Sequence, residues 1–98
     1  MLERDIQKKC VAYARKNGWW ARKFVAQGRR SVPDYIFAKD GRVVFVEFKR
    51  PGEKATELLE EEHKAMRAAG LFVYTCDNLA DFHFILEENE PIRDDFGL

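Results

Sequence analysis

The chain has 98 residues, 46% of them hydrophobic and 13% aromatic, which is enough for one core but not for two. That composition excludes a disordered chain, and no apolar run approaches the roughly 20 residues that span a bilayer. Formal charge is zero, yet residues 1–50 hold thirteen Lys/Arg against five Asp/Glu, while residues 51–98 hold four against twelve. The N-terminus lacks the order of a signal peptide, and two isolated cysteines, Cys10 and Cys76, form neither a disulfide framework nor a zinc motif. These features predict a single intracellular, cytoplasmic domain over residues 1–98, with buried thiols, no membrane segment and an acidic tail from about residue 87.

Over residues 2–16 the apolar positions Leu2, Ile6, Cys10, Val11, Tyr13 and Ala14 recur at helical spacing, and Asn17-Gly18 supplies a helix stop. Residues 19–26 are aromatic and β-branched, which predicts a strand that turns one of Trp19 and Trp20 to the core and the other outward. Six basic residues and no acid fall between Arg15 and Arg30, so Arg22, Lys23, Arg29 and Arg30 are candidate phosphate contacts. A solvated basic face explains the same block equally well.

Pro33 suits a loop-to-strand junction, and residues 34–38 read as a short strand. Asp40-Gly41 between two apolar runs predicts a hairpin whose second arm is 43–49. Pro51-Gly52 then stops the strand, and residues 56–69 form a helix that Thr56 caps and Gly70 ends. His63 sits among charged neighbours and reads as a surface side chain of that helix. Residues 71–76 form a fourth strand, and Asp77 or Asn78 caps a third helix to about residue 86, where His83 reads as packed or half-exposed between Phe82 and Phe84. The order α-β-β-β-α-β-α, with one antiparallel hairpin and one helical crossover, predicts an α/β (α+β) mixed sheet with helices packed against it.

Alternation along 43–49 places Val43, Phe45, Glu47 and Lys49 on one face and Val44, Val46 and Phe48 on the other. A turn at Asp40-Gly41 sets Asp34 opposite Glu47, with Cβ atoms about 5 Å apart. Two carboxylates that close need a proton, a cation or an ion-pair partner. A divalent ion with oxygen ligands, Mg²⁺ or Mn²⁺, satisfies them, and Lys49 on the same face can then meet a phosphate oxygen or an attacking water. A structural ion pair is the simpler alternative.

Pro33-Asp34 followed by Glu47-Phe48-Lys49 matches the PD-(D/E)xK signature of a large nuclease superfamily. With "LERDIQKKCVAYARKNGW", "SVPDYIFAKDGRVVFVEFKRPGEKAT" and "EEEHKAMRAAG", the chain resembles a VRR-NUC domain over residues 2–86. The resemblance implies a restriction-endonuclease-like core and metal-dependent hydrolysis of DNA, with Asp34, Glu47, Lys49 and Glu3 as catalytic residues. It also implies that Asp34, Glu47, Glu3 and the Phe48 backbone carbonyl hold the metal. Branched DNA such as a four-way junction is the substrate it suggests, cut by a homodimer, with Arg50 joining Arg22, Lys23, Arg29 and Arg30 against the backbone. A flap or single-strand nuclease and a catalytically silent nucleic-acid-binding module are the alternatives. The sequence departs from the family at Leu59, where a Gln is usual, and Glu60 or His63 is the candidate substitute.

Overall fold

The computed structural model describes residues 2–26, 28 and 32–88. Its elements are α1 (Glu3–Lys16), β1 (Trp20–Lys23), β2 (Tyr35–Lys39), β3 (Arg42–Phe48), α2 (Glu57–Ala68), β4 (Phe72–Cys76) and α3 (Leu79–Glu88). The predicted order holds. Arg29, Arg30 and nearly all of the acidic tail lie outside the described residues.

The four strands form one mixed sheet in the order β1-β2-β3-β4. The β2–β3 hairpin turns at Asp40 and Gly41, whose φ values of 51° and 84° are the two positive angles that match the twist of paired strands. Lys39 pairs with Arg42 and Tyr35 with Val46, the register read from the sequence. A crossover through α2 makes β4 parallel to β3. The first strand is shorter than the expected 19–26. Phe24 still donates its N–H to the Asp34 carbonyl at 2.8 Å, and residues beyond it leave the sheet.

Strand alternation divides the core. Val44, Val46 and Phe48 point to the face that α1 and α3 cover, where they meet Phe37, Phe82, Ile6, Cys10 and Ala14. The rings of Phe37, Phe48 and Phe82 pack with centroids 5.1 to 6.4 Å apart. Cys10 and Cys76 are buried free thiols, and a hydrogen bond between them together with burial pushes the Cys10 thiol up. Trp19 is buried under the Arg42 guanidinium, while Trp20 is half exposed, as alternation requires.

The other face carries Phe45 and Val73 against Met66 of α2, with Phe24 and Ile36 partly buried beside them. Thr56 caps α2 by accepting from the Leu59 N–H at 3.2 Å. His63 corrects the sequence reading. Leu59, His63 and Met66 recur at helical spacing along the stripe that α2 buries, so His63 is enclosed at 1% exposure despite its charged neighbours in sequence.

Candidate metal centre

The C-terminal end of β3 gathers the charged residues. Glu47 shares its strand face with Phe45 and is 7% exposed, an unusual position for a carboxylate. Asp34 lies just before β2 on the same face. The Asp34 Oδ2 accepts from the Phe48 N–H at 2.8 Å, which fixes one carboxylate oxygen and leaves the other free to act as a ligand.

Glu3 arrives from the first turn of α1. One carboxylate oxygen from each of Glu3, Asp34 and Glu47 falls within 4.8 Å of the others. Lys49 Nζ is 3.6 Å from Glu47 Oε2, and the Lys49 N–H donates to the Cys76 carbonyl at 2.9 Å, so β4 holds the backbone that carries the ammonium.

The electrostatics follow from crowding. Burial first, and then the charge of Asp34, hold the Glu47 carboxyl up at about 7, against the opposing pull of Lys49. Burial also raises Asp34, although the Phe48 N–H, Lys23 and Lys49 favour its charged form. Glu3 is raised by burial and by Asp34. Three carboxylates that each resist ionisation, with their free oxygens converging, fit a hard divalent cation, whose charge would relieve the repulsion that the protein alone does not. Lys49 and, at Asp34, Lys23 still leave all three carboxyls raised. The bare ion-pair alternative therefore leaves most of the cluster unexplained.

The basic candidates separate. Lys23 lies close enough to Asp34 to favour its ionised form. Arg22 lies over the ring of exposed Trp20 at 5.0 Å. Arg50 is turned toward Glu53, with Nε 3.6 Å from Oε1, in a tight Arg50-Pro51-Gly52-Glu53 turn. Gly52 supplies the positive φ of 80° there and donates its N–H to Asp77. Neither proposed substitute at the Leu59 position replaces a polar side chain directly. Leu59 is buried, Glu60 is exposed, and His63 Nε2 is the one buried side-chain polar atom among the described residues without a hydrogen-bond partner. Burial, and then the charge of Arg67, hold the His63 imidazole below its ordinary value.

No family model matches the chain. A protein of Acyrthosiphon pisum secondary endosymbiont phage 1 named "Putative nuclease p44" is 44% identical over 77 residues, which cover 78% of this chain and 83% of that one. A solved structure of a "VRR_NUC domain" superposes with a TM-score of 0.80, covering 90% of this chain and 97% of that one at 24% identity. The chain belongs to the same family as that phage protein, and its fold is that of a VRR-NUC domain. At that identity the superposition speaks for the VRR-NUC fold, while the phage relative carries the likeness to a nuclease.

Proposed function

We propose that this VRR-NUC chain is a metal-dependent DNA endonuclease, with the whole chain as one nuclease domain acting inside the cell. The observation that carries the proposal is the convergence of Glu3, Asp34 and Glu47 within 4.8 Å, with Lys49 beside them. Asp34, Glu47 and Glu3, with the Phe48 carbonyl, would hold Mg²⁺ or Mn²⁺. Such an ion supplies Lewis-acid polarisation of a phosphate and a water acidic enough to give hydroxide near neutral pH.

The protein's own groups do the rest. The Phe48 N–H keeps Asp34 in one orientation, so its second oxygen is presented without a rotamer search. The Lys49 ammonium, anchored through its backbone to β4, orients the attacking water or stabilises charge that develops on the phosphate. Lys23, close enough to Asp34 to favour its ionised form, would meet a neighbouring phosphate of the same strand.

Branched DNA is the proposed substrate, and a homodimer the proposed assembly, because two such centres can cut two strands of a four-way junction. The basic residues concentrate in the first half of the chain and address the backbone, so shape is read in preference to base sequence. No helix of the described residues is long and apolar enough to cross a membrane.

The test is cleavage of a labelled four-way junction beside a linear duplex in Mg²⁺, Mn²⁺ or EDTA, with Glu47→Ala as the contamination control. Metal-dependent cutting of the junction, with a sedimentation mass of two chains, is the expected result. Binding without cutting in either metal would make the chain a silent nucleic-acid-binding module, with buried Leu59 as the mark of a disabled site.

A further inference from the structure

Among the described residues, the sheet face that carries the carboxylates is covered over only part of its width. Met66 of α2 closes it above Phe45 of β3 and Val73 of β4. Over β1 and β2 the same face presents Trp20, Arg22 and Phe24 on one strand and Asp34, Ile36 and Ala38 on the next. The strand register arranges these side chains in rows. Phe24, Asp34 and Glu47 form the row at the metal centre, and Arg22, Ile36 and Phe45 form the next. Trp20, Ala38 and Val43 form the third, with Trp20 49% and Val43 39% exposed. Trp20 is therefore two rows from Asp34, about 13 Å at 3.3 Å per residue.

Charge decides what such a strip accepts. The Arg22 guanidinium lies 5.0 Å from the centre of the Trp20 ring, and Lys23, although alternation turns it to the other face, is close enough to Asp34 to favour its ionised form. No acidic residue falls between Arg15 and Arg30. An apolar protein partner gains nothing from cations placed along the strip, whereas a polyanion that runs into the metal centre is neutralised by them. The strip is also continuous with the proposed site, so its occupant and the substrate are one molecule.

We propose that Trp20 is a stacking platform for an unpaired base of the nucleic-acid substrate, positioned with Arg22 two strand rows from the phosphate that is cut. This rests on the nuclease reading above, with the base freed where pairing opens at the branch of the DNA. A base inside a duplex already has both faces stacked, so only a base freed from pairing can use the indole. Stacking of this kind is tolerant of base identity, because every base has a π face. The guanidinium orients the ring and supplies a charge for the adjoining phosphate. The span from Trp20 to Asp34 corresponds to about four stacked steps at 3.4 Å each, so an unpaired nucleotide near the cut becomes part of what is recognised.

Binding is measured in EDTA by anisotropy of labelled DNA, comparing a blunt duplex with the same duplex carrying a short oligothymidine extension of either polarity. Wild type, Trp20→Ala and Trp20→Phe are compared, with far-UV circular dichroism to confirm the fold. Trp20→Ala is expected to lose about 5- to 150-fold in affinity for the extended duplex. Trp20→Phe should keep most of that affinity, and neither change should alter binding to the blunt duplex. Equal affinity of wild type and Trp20→Ala for the extended DNA overturns the proposal, as does an equal loss on the blunt duplex. A parallel Mn²⁺ cleavage assay separates the two ideas. Cutting that is indifferent to Trp20 overturns the stacking site and leaves the nuclease, while Trp20-dependent binding without cutting leaves the stacking site and removes the nuclease. Absence of binding to either DNA overturns both.

Discussion

The two faces of this sheet differ in what they are packed with, although the same strands build both. Beneath α1 and α3, β3 contributes Val44, Val46 and Phe48 to a wholly apolar layer joined by Phe37 and Phe82. On the opposite face it contributes Phe45 and then Glu47, flanked by Asp34, and α2 adds the buried His63, whose Nε2 has no hydrogen-bond partner among the described residues. One face holds the molecule together, and the other holds charge that folding alone leaves in conflict. Residue parity along β3 therefore predicts whether a substitution costs stability or function.

The largest effect belongs to the apolar face. Phe82→Ala removes a fully buried ring and should destabilise the fold by about 3–5 kcal/mol, measured by urea denaturation, with activity lost only as the folded fraction falls. On the charged face, Lys49→Ala or Glu47→Ala should reduce cleavage by about 10²- to 10³-fold while the circular dichroism spectrum is unchanged. Metal-free Glu47→Ala should melt no lower than wild type, since it removes a buried carboxylate that repels Asp34. A large drop in its melting temperature would break the division between the faces.

A third test uses pH. Glu47 is held up at about 7 in the folded chain against an ordinary 4.5. Its proton adds stability that is complete below about 4.5 and drains away as pH rises through about 7. A divalent ion must displace that proton, so Mn²⁺ affinity measured by calorimetry should climb about tenfold per pH unit toward 7 and then level off. A flat profile would remove Glu47 from the ligand set.

The smallest effect is at His63, and its sign is opposite. Its folded value is held below 6.5, so the unfolded chain takes up a proton that the folded chain resists, and stability present above 6.5 is lost as pH falls. His63→Leu should be neutral or stabilising by about 1 kcal/mol, because it removes an orphaned polar atom, and it should flatten the acid side of the stability profile. Marked destabilisation at neutral pH would mean that Nε2 has a partner in solution, such as a bound water.

Much of this was legible in the sequence because it is local. Asp40-Gly41 fixes the hairpin, the hairpin fixes the register, and alternation then sorts β3 into its two faces. Asp34 and Glu47 follow from that chain of reasoning without any relative. Glu3 does not, because nothing near it in sequence marks it, and its carboxylate reaches the others only when α1 docks on the sheet. Charged neighbours hide the burial of His63 in the sequence, although its spacing from Leu59 and Met66 is a readable signal of it. The end of β1 is not legible, because aromatic and β-branched composition continues past Lys23, where the strand ends.

The hairpin tip has a practical consequence. Asp40 and Gly41 are exposed and sit at the far end of the strands from Asp34, about 20 Å away at 3.4 Å per residue. The space beside Gly41 is open, but its φ of 84° strains any side chain placed there, so Asp40, which already carries one, is the position to label. A fluorophore or surface tether attached there leaves both sheet faces clear, which makes the tip a natural handle for watching single molecules of this chain engage their substrate.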